Sequence, residues 1–342
     1  MSQPSPSPLP FKLKRPVIGA PMAGGPSTPE LVAAVTNAGG LGFLAGGYKT
    51  PQQLADQITA TRGLTHGPIG VNLFVVAVND VDQEELEAYR RELRYYADQY
   101  GIEVGSPKWD DDSWDGKLDV IRDLKPDVAS FTFDCPPADV LDELNQLGIH
   151  TVVTVTSETE ARTAADRGPR ILAVQGPDAG GHRASFNPAA EPGTTPLPEL
   201  IESIGRTVDL PLIAGGGIGT REQTQAILET GAAAVQVGTS LLLADEAGTN
   251  PAHRAALHDP AFTETRVTRA FTGRPARGLR NRFMDNHDAP RHAYPQIHYI
   301  TAPLRAAAAA NHDLQALHLW AGTGYRNTRS GPAATVIADL TP

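Results

Sequence analysis

The sequence predicts a (β/α)8 barrel with an insertion after its third strand and a mainly helical C-terminal cap, and three observations carry the prediction. From Pro16 to about Leu243, short apolar or β-branched runs alternate with amphipathic segments, the pattern of repeated βα units around a parallel sheet. Eight such runs occur, over a span close to the roughly 250 residues that such barrels use. The densest glycine clusters follow the seventh and eighth runs, where barrels of this type commonly hold phosphate. A doubly wound open sheet is the alternative. It is disfavoured because the first run leads into Pro21-Met22-Ala23-Gly24-Gly25-Pro26 instead of a GxGxxG turn.

Taken in order, residues 1–14 begin Ser/Pro-rich and read as a disordered tail, the barrel occupies 15–249, and the helical cap region 250–342 packs on it. Strands are expected at 17–20, 42–45, 69–74, 128–131, 151–155, 171–175, 212–214 and 233–237. Helices are expected at 28–38, 51–61, 139–147, 157–166 and 220–230. Several open on a Ser or Thr cap or a first-turn Pro, and several close near Gly39, Gly148, Gly168 or Gly231. The insertion, 79–116, carries a charged helical stretch at 83–99 and an acidic loop from Trp109 to Trp114, and reads as a solvated hairpin in preference to a lid. Beyond 249 the chain looks mostly helical, including 303–310 and 314–320.

Composition narrows the function classes. Forty per cent hydrophobic and 20% charged residues in a 342-residue chain fit a globular protein with a sizeable core. A formal charge of -10 argues against a nucleic-acid binder, which needs a basic face. No apolar run approaches the ~18 residues of a membrane span, and the N-terminus lacks the apolar core of a secretory signal. One cysteine, Cys135, permits no internal disulfide and suits a reducing cytoplasm. The ten histidines are scattered without HxH or HxxxH pairing, so no metal site is expected. Monomer and homodimer both remain open.

The chemistry is expected at the strand ends. The sixth run, Ile171-Leu172-Ala173-Val174, passes directly into Gln175-Gly176-Pro177-Asp178-Ala179-Gly180-Gly181-His182-Arg183, which places glycines, one titratable ring and one cation on a single loop. The seventh ends in Gly215-Gly216-Gly217-Ile218-Gly219 and the eighth in Gln236-Val237-Gly238-Thr239-Ser240, backbone and hydroxyls suited to a phosphate. Asn72, Gln175 and Gln236 are amides at the ends of apolar strands, and a buried amide requires partners. A phosphate joined to a planar polar ring points to flavin mononucleotide (FMN), with Met22 as an apolar contact for the ring. His182 then faces a substrate, and Arg183 either favours an anionic one or forms an exposed ion pair.

The segments Ala20-Pro21-Met22, Gly70-Val71-Asn72, Ala179 to Arg183, Gly215-Gly216-Gly217-Ile218 and Gln236-Val237-Gly238-Thr239 resemble the nitronate monooxygenases, formerly called 2-nitropropane dioxygenases. The resemblance spans about residues 15–330. The runs Phe271-Thr272-Gly273-Arg274-Pro275-Ala276-Arg277 and Leu319-Trp320-Ala321-Gly322 look like the bacterial branch acting on propionate 3-nitronate. It implies an FMN-dependent barrel that oxidises small anionic nitronates with dioxygen to carbonyl compounds and nitrite or nitrate. By the same resemblance FMN contacts fall at Asn72, Gln175, Gly180, Gly217, Gln236, Gly238, Thr239, Ser240 and Leu241, with His182 catalytic. Some relatives carry a histidine in the fourth-strand motif where this chain reads Ser130-Phe131-Thr132-Phe133-Asp134; Asp134 and Cys135 stand at that strand end instead. Two other functions fit the barrel: an NAD(P)H-dependent flavin enoyl or quinone reductase, and a binder of phosphorylated metabolites without redox chemistry.

Overall fold

A computed structural model describes residues 7–290 and 292–342. Eight parallel strands form one sheet: β1 (Val17–Gly19), β2 (Gly42–Ala45), β3 (Ile69–Phe74), β4 (Val128–Thr132), β5 (His150–Val155), β6 (Ile171–Gln175), β8 (Leu212–Gly215) and β9 (Ala234–Val237). The short β7 (Gly181–His182) stands apart from it. β1 pairs with β9, and the Gly19 N–H donates to the Leu41 carbonyl at 2.9 Å beside β2, which closes the circle. The eight expected strands are thus the eight barrel strands, with ends displaced by a residue or so.

Because strand side chains alternate between faces, each barrel strand builds two layers at once. One set, including Val71, Phe131, Val153, Leu172 and Val235, packs outward under the helices. The other set, Ile18, Phe43, Val128, Val152, Ile171, Ala173, Ile213 and Ala234, forms a separate cluster that fills the barrel. Followed toward the carboxyl ends, the same inward parity brings up Asn72, Thr132, Thr154, Gln175 and Gln236, so the lining turns from apolar to polar at the mouth.

The expected disordered tail is corrected by this layer. Residues 1–6 lie outside the described residues, but Leu9, Phe11 and Leu13 pack against the barrel-filling cluster. The Phe11 ring lies 5.5 Å from that of His150 at the start of β5. Alternate apolar residues in an extended segment present one face, which suffices to cover the amino-terminal mouth. Phe11→Ala is expected to lower stability by about 2 kcal/mol through lost burial, read as a lower urea midpoint with unaltered ligand binding.

The chain outside the barrel builds a second core. In the insertion, helix Gln83–Tyr100 buries Leu86, Tyr89, Leu93, Tyr96 and Ala97, a single helical stripe, and is capped by Asp82. These residues pack with Phe271, Phe283, Ile297, Ile300 and Leu304, and the Tyr89 hydroxyl donates to the Ala270 carbonyl at 2.6 Å. The insertion is therefore a docked helix, not a solvated hairpin, because its apolar residues recur at helical spacing along a charged sequence. The acidic loop after it is anchored by a buried ion pair, Asp112 to Lys117 at 2.7 Å.

After residue 249 the α-helices among the described residues are Pro251–His258, Arg282–Asn286, Gln296–Ala310 and Ala333–Leu340. The expected helix at 314–320 does not form; Trp320 instead bridges Gly278 in extended pairing. Strands β10 (Thr265–Thr268) and β11 (Ala276–Leu279) make an antiparallel pair, and β11 also pairs with β7, setting Ala276 opposite His182. Through this small sheet the outer layer grips the loop that follows β6. Among the described residues no helix is long and apolar enough to cross a membrane.

Candidate active site

A cavity of about 540 Å³ opens where the carboxyl ends of the barrel strands meet helix Gln296–Ala310 and the 317–324 segment. Met22, Asn72, Gln175, Gly180, His182, Gly217, Gln236, Gly238, Thr239 and Ser240 all line it. Leu241 does not. Its N–H closes a tight turn on the Gly238 carbonyl at 2.8 Å, and its side chain is fully buried in the layer beneath the helices.

Two glycines make the cradle possible. A Cβ on Gly180 would collide with the backbone of Ala321 and Gly322, so only glycine lets the loop meet the outer segment there. Gly217, at φ 75°, occupies the left-handed region, and a Cβ would come within 2.9 Å of the Asp178 side chain. The amides divide into two kinds. Gln236, half-buried in the lining, has no hydrogen-bond partner for either amide atom among the described residues, so both are free for a polar ligand. Asn72 donates from Nδ2 to Ser130 Oγ and Thr132 Oγ1, each at 2.9 Å, which leaves its carbonyl oxygen for the cavity. Gln175 is already engaged, donating to the His182 carbonyl and accepting from the Ala184 N–H, both at 2.9 Å. Its amide fixes the loop. Thr239 Oγ1 accepts from the Gly322 N–H at 2.9 Å, stitching the β9 loop to the outer segment.

The polar contact to the His182 ring comes from Thr272. The Thr272 hydroxyl lies 2.9 Å from His182 Nε2 and 3.3 Å from the Arg274 carbonyl; when its one hydrogen goes to the carbonyl, it accepts from Nε2–H. In that arrangement Nε2 carries the ring proton and Nδ1 presents a lone pair. Burial, reinforced by the Arg274 and Arg305 charges, pushes the pKa down to about 3, so the ring is neutral at pH 7. Trp320, at a centroid separation of 5.5 Å, and Phe133, edge-on at 5.8 Å, wall it in.

Arg183 neither faces the cavity nor forms an exposed ion pair. It is 1% exposed and donates to the Gly176 and Gln175 carbonyls, holding the loop from behind. Asp134 and Cys135 also turn away: Asp134 lies 3.8 Å from Arg167, and Cys135 is buried in the outer layer.

Most of what faces His182 comes from residues that sequence reasoning did not assign. Arg274 is buried, donates to the carbonyls of Arg183, Ser185 and Phe133, and lies 3.9 Å from the centre of the Phe133 ring. Tyr48 stacks on His298 at 4.2 Å. His253 and His318 complete the lining, and burial drives both, like His298, well below the ordinary histidine range. Arg305 is the single Lys, Arg, Asp or Glu side chain in the lining among the described residues. Burial lowers its pKa to about 10, which still leaves it charged at neutral pH. No group of three or more His, Cys, Asp or Glu among the described residues is arranged to hold a metal ion.

This architecture is shared with characterised folds. The nitroalkane oxidase from Streptomyces ansochromogenes is 43% identical, with a TM-score of 0.92 over 96% of this chain and 95% of that one. FabK from Thermotoga maritima is more distant, at 25% identity and a TM-score of 0.74, covering 96% of this chain and 92% of that one. A probable nitronate monooxygenase of Bacillus subtilis is 33% identical over 321 residues, 93% of this chain and 92% of its own length. A family model described as nitronate monooxygenase matches residues 8–342, and with these relatives it shows that the chain belongs to the nitronate monooxygenase family.

Proposed function

We propose that the chain is an FMN-dependent monooxygenase that oxidises alkyl nitronates such as propionate 3-nitronate with dioxygen, giving carbonyl compounds and nitrite or nitrate. The observation that carries this reading is the pairing of His182, neutral at pH 7 and held at Nε2 by Thr272, with a cavity whose one fixed charge among the described residues is a cation. A base for a carbon acid and a counter-ion for its conjugate anion stand in one enclosure.

The residues present suit the cofactor. Gly216, Gly217, Gly238, Thr239 and Ser240 would take the phosphate, while the unpartnered Gln236 amide and the Asn72 carbonyl would take the heterocycle, with Met22 against it. Bound there, FMN supplies an electron acceptor for the substrate and a donor for dioxygen. The chain's own part is geometric and electrostatic. Thr272 holds the His182 ring in one tautomer, Gln175 and Arg183 fix the loop beneath it, and Phe133 and Trp320 keep bulk water from the lone pair. A neutral nitroalkane gives its α proton to Nδ1, whereas a preformed nitronate needs no such transfer.

The flavin reductase reading is favoured only by the likeness to the Thermotoga FabK. An anaerobic spectrum separates the two. Ethyl nitronate is expected to bleach the flavin of the purified protein without pyridine nucleotide; rapid bleaching by NADPH with none by nitronate would overturn the monooxygenase reading.

A further inference from the structure

Helix Gln296–Ala310 brings two hydrogen-bond donors to the cavity from positions 298 and 305, two turns apart and so on one face. The Arg305 guanidinium is oriented by three bonds. Its Nε–H donates to Thr301 Oγ1 at 3.0 Å, and Nη2 donates to the His298 carbonyl at 2.8 Å and to His298 Nδ1 at 3.2 Å. Nη1 has no protein partner among the described residues, and it is not sealed from the cavity.

A guanidinium has only donors, so His298 Nδ1 must accept, and the ring proton resides on Nε2. That N–H likewise has no protein partner among the described residues, while the ring is clamped flat against Tyr48, 4.2 Å away and 4° from parallel. A desolvated cation without a carboxylate partner is costly, and an anion bound from the cavity would offset that cost. The other cation near His182, Arg274, commits Nε and Nη2 to three carbonyls and is not part of the cavity lining.

We propose that Arg305 Nη1 and His298 Nε2 form the anion anchor of this cavity, gripping the two oxygens of a planar monoanionic –NO2 or –CO2 group while His182 Nδ1 serves the carbon next to it. The proposal rests on the nitronate reading above and goes beyond it by separating binding from proton transfer. Arg305 and His298 are positioning residues that hold the charged head. His182 contributes nothing to the grip on an anion, since it offers a lone pair.

The test uses the FMN-loaded protein and sodium butanoate, an unreactive carboxylate with the shape of a nitronate. Isothermal titration is expected to show one site, weakened at least tenfold in Arg305→Met and about threefold to tenfold in His298→Phe, which keeps the stacked ring but loses the donor. Arg305→Lys keeps the charge without the planar fork and is expected to fall between wild type and Arg305→Met. Retained flavin and an unchanged melting temperature identify correctly folded variants. Butanoate binding as tight in Arg305→Met as in wild type, or no butanoate binding by the wild type, would overturn the anchor. Anaerobic ethyl nitronate separates this failure from that of the functional reading. Bleaching by nitronate that is indifferent to Arg305→Met sinks the anchor alone, whereas Arg305-dependent butanoate binding with no bleaching sinks the monooxygenase reading alone.

Discussion

His182→Asn is expected to slow oxidation of neutral nitroethane by about 10²-fold or more while leaving oxidation of its preformed nitronate within a few-fold, because a general base contributes about 10²–10⁴ to a proton transfer. The expectation follows from which ring nitrogen is free. With the Thr272 hydroxyl donating to the Arg274 carbonyl, Nε2 donates to Thr272 and the other ring nitrogen is the acceptor. Burial, with the Arg274 and Arg305 charges, lowers its pKa to about 3, so it is unprotonated at neutral pH. Asparagine retains an amide donor for Thr272 but offers only a weakly basic oxygen, so a substrate that must lose a proton is penalised. One that has already lost it is not. Thr272→Val supplies a second handle with His182 intact. With its acceptor gone, the proton is free to move to Nδ1, and nitroethane turnover is expected to fall about tenfold. Steady-state kinetics on the two forms of one substrate check both variants, and equal losses on nitroethane and its nitronate would rule out the base role.

The barrel was legible because its signals are local and repeated. Eight apolar runs at βα spacing, each flanked by caps and glycines, leave few alternatives. The polar lining was legible for a related reason: strand parity is readable in sequence, and Asn72 and Gln236 interrupt apolar strands on the inward parity. Gln175 shows where that logic ends. The same signal marks it as a buried amide needing partners, but those partners proved to be the His182 carbonyl and the Ala184 N–H. Leu241 follows a phosphate-type loop in sequence, yet the tight turn on Gly238 rotates its side chain into the apolar layer.

What faces His182 was not legible, because it is assembled across long sequence separations. Thr272, His298 and Arg305 lie in segments whose local pattern announces only a turn and an Ala-rich helix, and they reach the cavity through packing of helix Gln296–Ala310 on the outer core. The 314–320 segment misled for the converse reason. Its leucine spacing suits a helix, but the Leu279 N–H takes the Leu319 carbonyl at 2.8 Å and so holds the segment extended. At the N-terminus, composition masked a two-residue alternation at Leu9, Phe11 and Leu13 that tertiary contact turned into a plug.

The same enclosure that keeps His182 neutral is expected to make the fold acid-sensitive well above the carboxylate range. Burial lowers the pKa to about 3 for His182, about 4 for His253 and about 2 for His298, and moves His318 the same way. In the unfolded chain each returns to about 6.5, so the sign is fixed: below that pH the unfolded state takes up protons that the folded state refuses. The stability these neutral rings retain is fully present above about pH 6.5. It is lost as the pH falls toward the folded-state values, at up to about 1.4 kcal/mol per pH unit for each ring. Acting together, the four would remove up to about 5 kcal/mol per pH unit, comparable with the whole stability of many domains. Urea midpoints at pH 7.5, 6.5, 6.0 and 5.5 measure the slope directly, roughly where carboxylates remain ionised. His253→Gln replaces the ring with a polar side chain that does not titrate. It is expected to flatten the slope by about one proton. A slope that is unchanged in this variant, or a wild-type stability that is flat across the window, would mean that these rings bind protons in the folded protein as readily as in the unfolded chain.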